Sequence, residues 1–226
     1  MATSVVLLVS SVLLIVRATL GEIDCENSPF VHCEVPKSFK ELLQDISEFR
    51  VHCSETKSYL RCAKEYQDKC GTTRIELFRS EDLFEATYNA ISEVCEEGTL
   101  LNIVAIENLK CFNDTFSKTE CRKEAAEFSE PLIERLNEDP EFEHQNTLDI
   151  FCLEETLSTS CVLRALSENC GKLVEEATLE FIRLSKSLEY ACSVEGTKSV
   201  LEQLDSLDLN EEKKKSVIQL LQKLLE

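Results

Sequence analysis

The sequence predicts an all-α protein: two tandem disulfide-stapled helical bundles followed by a C-terminal amphipathic helix. Three observations lead there. Only 5 Gly and 4 Pro in 226 residues leave few places for tight hairpins. Apolar residues recur at helical spacing through most of the chain. A six-cysteine pattern is written twice, Cys25, Cys33, Cys53, Cys62, Cys70 and Cys95 returning as Cys111, Cys121, Cys152, Cys161, Cys170 and Cys192. The correspondence extends past sulfur: Gly71 follows Cys70 as Gly171 follows Cys170, Phe84 and Phe181 precede Cys95 and Cys192 by the same distance, and Glu97-Gly98-Thr99 returns as Glu195-Gly196-Thr197. A pattern repeated at this level of detail is an internal duplication.

Taken in order, residues 1–21 form a secretory signal peptide. They lack acidic residues, carry an apolar run from Ser4 to Val16, and end in Ala18-Thr19-Leu20-Gly21, with cleavage expected after Ala18 or Gly21. The run is shorter than the roughly 20 residues that span a bilayer, so a membrane anchor is not expected. The first repeat, 22–98, then shows three helical segments. Pro36 opens one with Phe39, Leu42, Leu43, Ile46 and Phe49 on a single stripe. Ser54 is placed to cap a second, carrying Tyr59, Leu60, Ala63 and Tyr66 and stopping at Cys70-Gly71. Ser80 begins a third, with Phe84, Thr87, Ile91 and Val94 along one face and Gly98 past its end. Residues 99–110 read as the connecting segment.

The second repeat, 111–197, follows the same plan, with helices expected around 118–137, 147–169 and 173–194 and a break at Asp139-Pro140. The tail, 198–226, ends in a helix that Asn210 can cap, its Val217, Ile218, Leu221, Leu224 and Leu225 forming a stripe opposite Lys213 to Lys215. Such a stripe packs on its own domain or meets a partner or lipid. Lying beyond the last cysteine and lacking a full counterpart after the first repeat, it is the candidate contact surface.

Behind a signal peptide, twelve cysteines read as six disulfides. Metal ligation fails on spacing, because there is no closely spaced cysteine knuckle, and His32 and His52 beside Cys33 and Cys53 are replaced by Glu120 and Phe151 in the second repeat. Six cysteines allow 15 connectivities. An up-down-up bundle would set Cys53 near Cys95 and Cys33 near Cys70, leaving Cys25 for Cys62, and by correspondence Cys152 with Cys192, Cys121 with Cys170 and Cys111 with Cys161. All bridges are expected to close within a repeat, each contributing roughly 2 to 4 kcal/mol.

The formal net charge of −19 opposes nucleic acid and anionic membrane surfaces as partners. It reads as solvated helix faces, and no D-x-D-x-D-G calcium loop is present. Three histidines, His32, His52 and His144, sit in no catalytic motif, and there is no G-x-S-x-G, H-E-x-x-H or phosphate loop. Paired acids such as Glu96-Glu97, Glu154-Glu155 and Glu175-Glu176 are ordinary on so acidic a surface. The sequence therefore predicts no enzyme, no catalytic residues, no metal and no cofactor. Asn113-Asp114-Thr115 is the one N-glycosylation sequon, and glycosylation is expected at Asn113.

The unit C-x7-C-x19-C-x8-C-x7-C-x24-C, with Tyr59-Leu60 before its fourth cysteine, resembles the secreted six-cysteine helical proteins of arthropods, especially arachnids. It is also similar to the insect twenty-seven-kilodalton hemolymph glycoprotein family and to related nematode secreted domains. The resemblance covers both repeats and rests on cysteine spacing, from which the second repeat departs with x9, x30 and x21. It implies a hemolymph, venom-gland or silk-gland setting. Two functions follow as expectations: an extracellular binding or carrier protein, whose partner is an apolar ligand held between helices or another extracellular protein, or a structural matrix component with no ligand. An enclosed apolar cavity of several hundred cubic ångströms would favour the first.

Overall fold

A computed structural model describes residues 23–36, 43, 45–71, 78, 80–138 and 148–225, excepting the side chains of residues 135–138, 224 and 225. The segment 1–21, expected to be a signal peptide, lies outside these residues, as do Phe39, Leu42, Asp139, Pro140 and His144. Among the described residues the secondary structure is helical throughout, with no strand, so the chain is all-α. The helices are α1 (Pro29–His32), α2 (Ile46–Cys70), α3 (Glu81–Cys95), α4 (Leu100–Glu107), α5 (Leu109–Lys118), α6 (Cys121–Glu138), α7 (Ile150–Cys170), α8 (Lys172–Ser185), α9 (Val194–Gln203) and α10 (Glu211–Leu225).

Several boundaries fall where side-chain chemistry predicts them. The Ser80 hydroxyl accepts the Leu83 amide at the start of α3, and Asn210 Oδ1 accepts the Lys213 amide at the start of α10. Gly71 and Gly171 end α2 and α7 at φ of 71° and 94°, a backbone region that side chains with a Cβ resist. Other expectations are corrected. Ser54 caps nothing, because it lies within α2, which runs unbroken over 25 residues. The last helix expected in repeat 2 stops at Ser185, where Lys186 adopts φ 52°, and a 3-10 turn at Ser187–Tyr190 precedes α9. The connecting segment is itself helical: Thr99 caps α4 by accepting the Asn102 amide at 3.1 Å, and Leu101, Asn102 and Val104 are buried.

The chain divides into two compact units that cut across the repeats. One comprises Met1–Val35 with Tyr59–Leu77, the other Pro36–Ser58 with Phe78–Glu226. In the first, Pro29, Cys33, Leu60, Ala63 and Tyr66 are buried, and the Tyr66 hydroxyl donates to the Asn27 carbonyl at 2.6 Å. So small an apolar set leaves much of the work to the Cys25–Cys70 and Cys33–Cys62 bridges.

In the second unit α7 is the central helix, packed by α5, α6, α8, α9 and α10. Its buried residues, among them Ile150, Cys152, Leu153, Thr156, Leu157, Ser160, Leu163 and Leu166, face several directions at once, as a fully surrounded helix requires. One core cluster joins Cys152, Leu153, Leu157 and Cys192 to Val200 and Leu204 and to Val217 and Leu221 of α10. A second joins Leu101 and Val104 of α4 to Leu166, Val174 and Ala177, with Val94 of α3 packed against it. Val94 of repeat 1 and the connecting segment thus share a core with repeat 2. Thr87 and Tyr190 add polar contacts between the same parts: the Thr87 hydroxyl donates to the Ser185 carbonyl and the Tyr190 hydroxyl to the Leu83 carbonyl.

The C-terminal stripe is corrected on the same evidence. Val217 and Leu221 are 0% and 1% exposed and Ile218 packs against their cluster, so this face is core and not a contact surface. Exposed charges hold the helix from the other side, Arg164 to Glu212 at 2.8 Å and Lys213 to Glu124 at 3.5 Å. The side chains of Leu224 and Leu225 lie outside the described residues.

Candidate functional site

The twelve cysteines form six bridges with none free, every bridge within its own repeat. Cys53–Cys95 and Cys152–Cys192 join as predicted, but the remaining pairs are exchanged. The structure bonds Cys25 to Cys70, Cys33 to Cys62, Cys111 to Cys170 and Cys121 to Cys161. The reason is antiparallel pairing. A segment running against a helix matches its first cysteine to the helix's last, so bridges nest. C-x7-C at 25 and 33 faces C-x7-C at 62 and 70, and C-x9-C at 111 and 121 faces C-x8-C at 161 and 170. Eight helical residues span about 12 Å, and only a partner segment of matched reach can close both bridges. Those matched spacings were the available signal.

Around Cys53–Cys95 lies an open cleft of about 420 Å³; two further clefts of the same unit measure about 280 and 210 Å³. α2 contributes Phe49, His52, Cys53 and Thr56; α3 contributes Ile91, Val94 and Cys95. α4 and α5 add Ala105, Leu109, Phe112, Asn113 and Phe116, α8 adds Phe181, and Leu43 completes the wall. Helical periodicity explains these faces. Phe49, Cys53 and Thr56 follow one another at i, i+4 and i+7 along α2, and Phe112 and Phe116 at i and i+4 along α5, where the rings stack with centroids 6.0 Å apart. The mouth is at Phe116, whose side chain is 46% exposed.

Polar groups in this wall are few. The Asn113 amide donates to the Leu43 carbonyl, so the nitrogen that would carry a glycan is already engaged, and Thr115 of the same sequon is buried within α5. Glycosylation at Asn113 therefore has to precede folding. The Thr56 hydroxyl lies 3.4 Å from both ring nitrogens of His52. Burial lowers the His52 pKa below 6.5, against a smaller opposing effect of Glu55, so the ring is neutral at pH 7.

The other singled-out residues do not gather into a site. His32 stands 6.0 Å from the Tyr66 ring, centroid to centroid, and Glu154 accepts from the Ser129 hydroxyl. Among the described residues no group of three or more His, Cys, Asp or Glu could hold a metal ion, and no helix is long and apolar enough to cross a membrane. Comparison of the chain with protein-family models, curated proteins and solved structures returned no match.

The cleft was not legible as a site in the sequence. Its lining comes from five helices, and residues 99–110, read as mere connection, supply Ala105 and Leu109.

Proposed function

We propose that the protein is a secreted, non-enzymatic binding or carrier protein of an extracellular fluid, hemolymph or a glandular secretion, and that it holds a small apolar ligand in the cleft beside Cys53–Cys95. The observation that carries this reading is the cleft itself. It is open to solvent, not the enclosed cavity expected, but it has the volume of a small-molecule site and four phenylalanine rings, Phe49, Phe112, Phe116 and Phe181, in its wall. The leader-like start of the chain, the six bridges and the net charge of −19 support an extracellular setting, where disulfides persist and strong charge favours solubility.

The chain has no tryptophan, so binding can be followed without background. Titration with N-phenyl-1-naphthylamine, a neutral polarity-sensitive dye, should give saturable, blue-shifted fluorescence. Phe116→Glu, a substitution at the exposed mouth, should weaken it at least about tenfold, since a carboxylate buried by the bound dye loses its hydration. Absence of saturable binding would leave the alternative, a structural or matrix component without a small-molecule ligand.

A further inference from the structure

The cleft carries information about which apolar molecule it takes. Among the described residues its lining contains no Lys, Arg, Asp or Glu, and both of its cysteines are bonded to each other. A carboxylate or ammonium head brought into it would shed water and meet no counter-charge, which is strongly unfavourable. The surrounding protein is acidic as a whole, which further disfavours an anion.

Thr56 adds a specific feature. It is 4% exposed and belongs to the cleft wall. A threonine in a helix can turn its hydroxyl on the carbonyl four residues back, as buried Thr156 does to Cys152 and half-buried Thr178 to Val174, or find a side-chain partner, as buried Thr115 accepts from the Asn169 amide. Thr56 does not turn back. Its hydrogen-bond contact is with the His52 ring at 3.4 Å, well beyond the usual 2.7 to 2.8 Å of a bond made by a hydroxyl. Thr156 stands at nearly the equivalent position of repeat 2, four residues after Cys152 where Thr56 is three after Cys53, and it lies in closed core. The hydroxyl left poorly satisfied is the one beside the open cleft. The Asn113 amide, by contrast, is committed to Leu43.

We propose that the cleft selects uncharged lipid-like molecules bearing one hydroxyl or carbonyl, a long-chain alcohol or ketone and not a fatty acid, and that Thr56, backed by His52, binds that oxygen. This rests on the carrier reading above and names its ligand class. The apolar body of the ligand lies along Phe49, Ile91, Phe112 and Phe181, and its single oxygen completes the hydrogen bonding of a buried hydroxyl.

The test is displacement of N-phenyl-1-naphthylamine by four ten-carbon compounds: decan-1-ol, decane, decanoate and decylammonium. Decan-1-ol should displace best, with both ions at least about tenfold weaker. Thr56→Val, which keeps the shape and removes the hydroxyl, should weaken decan-1-ol about tenfold and leave decane unchanged, and Thr56→Ser should restore the alcohol. Thermal melts matched to the parent establish that the variants fold. Decanoate binding as tightly as decan-1-ol, or an alcohol affinity indifferent to Thr56→Val, overturns the ligand class while leaving a carrier. Failure of the dye and all four compounds to bind overturns the carrier reading and the ligand class together.

Discussion

Cys53–Cys95 and Cys152–Cys192 are the same bridge of a duplicated unit, yet one borders the apolar cleft of about 420 Å³, whereas the other is packed into core at Cys152 and only its Cys192 end reaches a smaller cleft of about 280 Å³ edged by Arg183, Lys186 and Glu189. The difference is what the chain does after the last cysteine of each repeat. Past Cys192, α9 and α10 return to α7 and bring Val200, Leu204, Val217 and Leu221 over the bridge, leaving Cys152 0% exposed. Past Cys95, α4 and α5 bring Ala105, Phe112 and Phe116 beside the bridge and leave space between them. Duplication supplied one sulfur framework twice. The segments following each copy decided which copy became core and which kept the larger recess.

The sharpest way to break this comparison is to remove the cover. Truncation after Asn210 deletes the buried Val217, Leu220 and Leu221, each worth about 1.5 to 3 kcal/mol, and should abolish a cooperative melt or lower it by well over ten degrees. It should also expose Cys152–Cys192 to dithiothreitol. A melt that barely moves would mean that α10 is not the seal.

Paired alanines at Cys152 and Cys192 should cost about 4 kcal/mol by loop entropy, and about 1 more because the bridge fills core. The Cys53 and Cys95 pair spans a nearly equal separation, 42 residues against 40, and should lose the entropic part alone. Denaturant titration under matched conditions ranks the two, and equal losses would deny that the surroundings differ.

The repeated Glu-Gly-Thr motif sharpens the comparison at lower energy. In repeat 1, Gly98 takes φ 91° and Thr99 caps α4. In repeat 2, Ser193 caps α9 one residue after Cys192, and Gly196 falls inside the helix against Asp149, which accepts the Cys152 amide to cap α7. A Cβ at Gly98 meets open space but a strained φ, whereas one at Gly196 collides with the Asp149 carboxyl group. Gly98→Ala should cost about 1 kcal/mol. Gly196→Ala should cost about 1 to 2, much of it absent in an Asp149→Ala background because the cap is already lost.

Much of this was legible from local chemistry. Ser80, Asn210, Gly71 and Gly171 mark helix ends through interactions that need only neighbouring residues, and they held. Ser54 misled because capping residues also occur inside helices. Phe49, Cys53, Thr56, Leu60, Ala63 and Tyr66 are buried in an unbroken helical rhythm across it, and that longer pattern overrides a single serine. The nested bridges, the burial of α10 and the cleft depend on which elements pack together, which periodicity within one element does not state. The equal spacing of the paired cysteines was the exception, a long-range fact written locally.

The smallest expected effect is on pH. Because burial lowers the His52 pKa below 6.5, the fold favours the neutral ring, and the unfolded chain binds the extra proton as pH falls. The stability this provides is present above pH 6.5 and lost as pH falls from there through the lowered folded value. Glu55, on the same helix, opposes the shift only in part. His52→Gln should flatten this part of the melting-temperature profile without altering the disulfides. An unchanged profile would place His52 in water.

The most direct test of the central claim is a two-dimensional NMR titration of the intact oxidised protein with decan-1-ol. Saturable shifts should concentrate at Phe49, Thr56, Ile91, Phe112, Phe116 and Phe181, with Leu153, Val200 and Leu221 around the covered bridge unmoved. Shifts centred on Cys152–Cys192, or none that saturate, would contradict the assignment of the ligand-holding recess to the first copy.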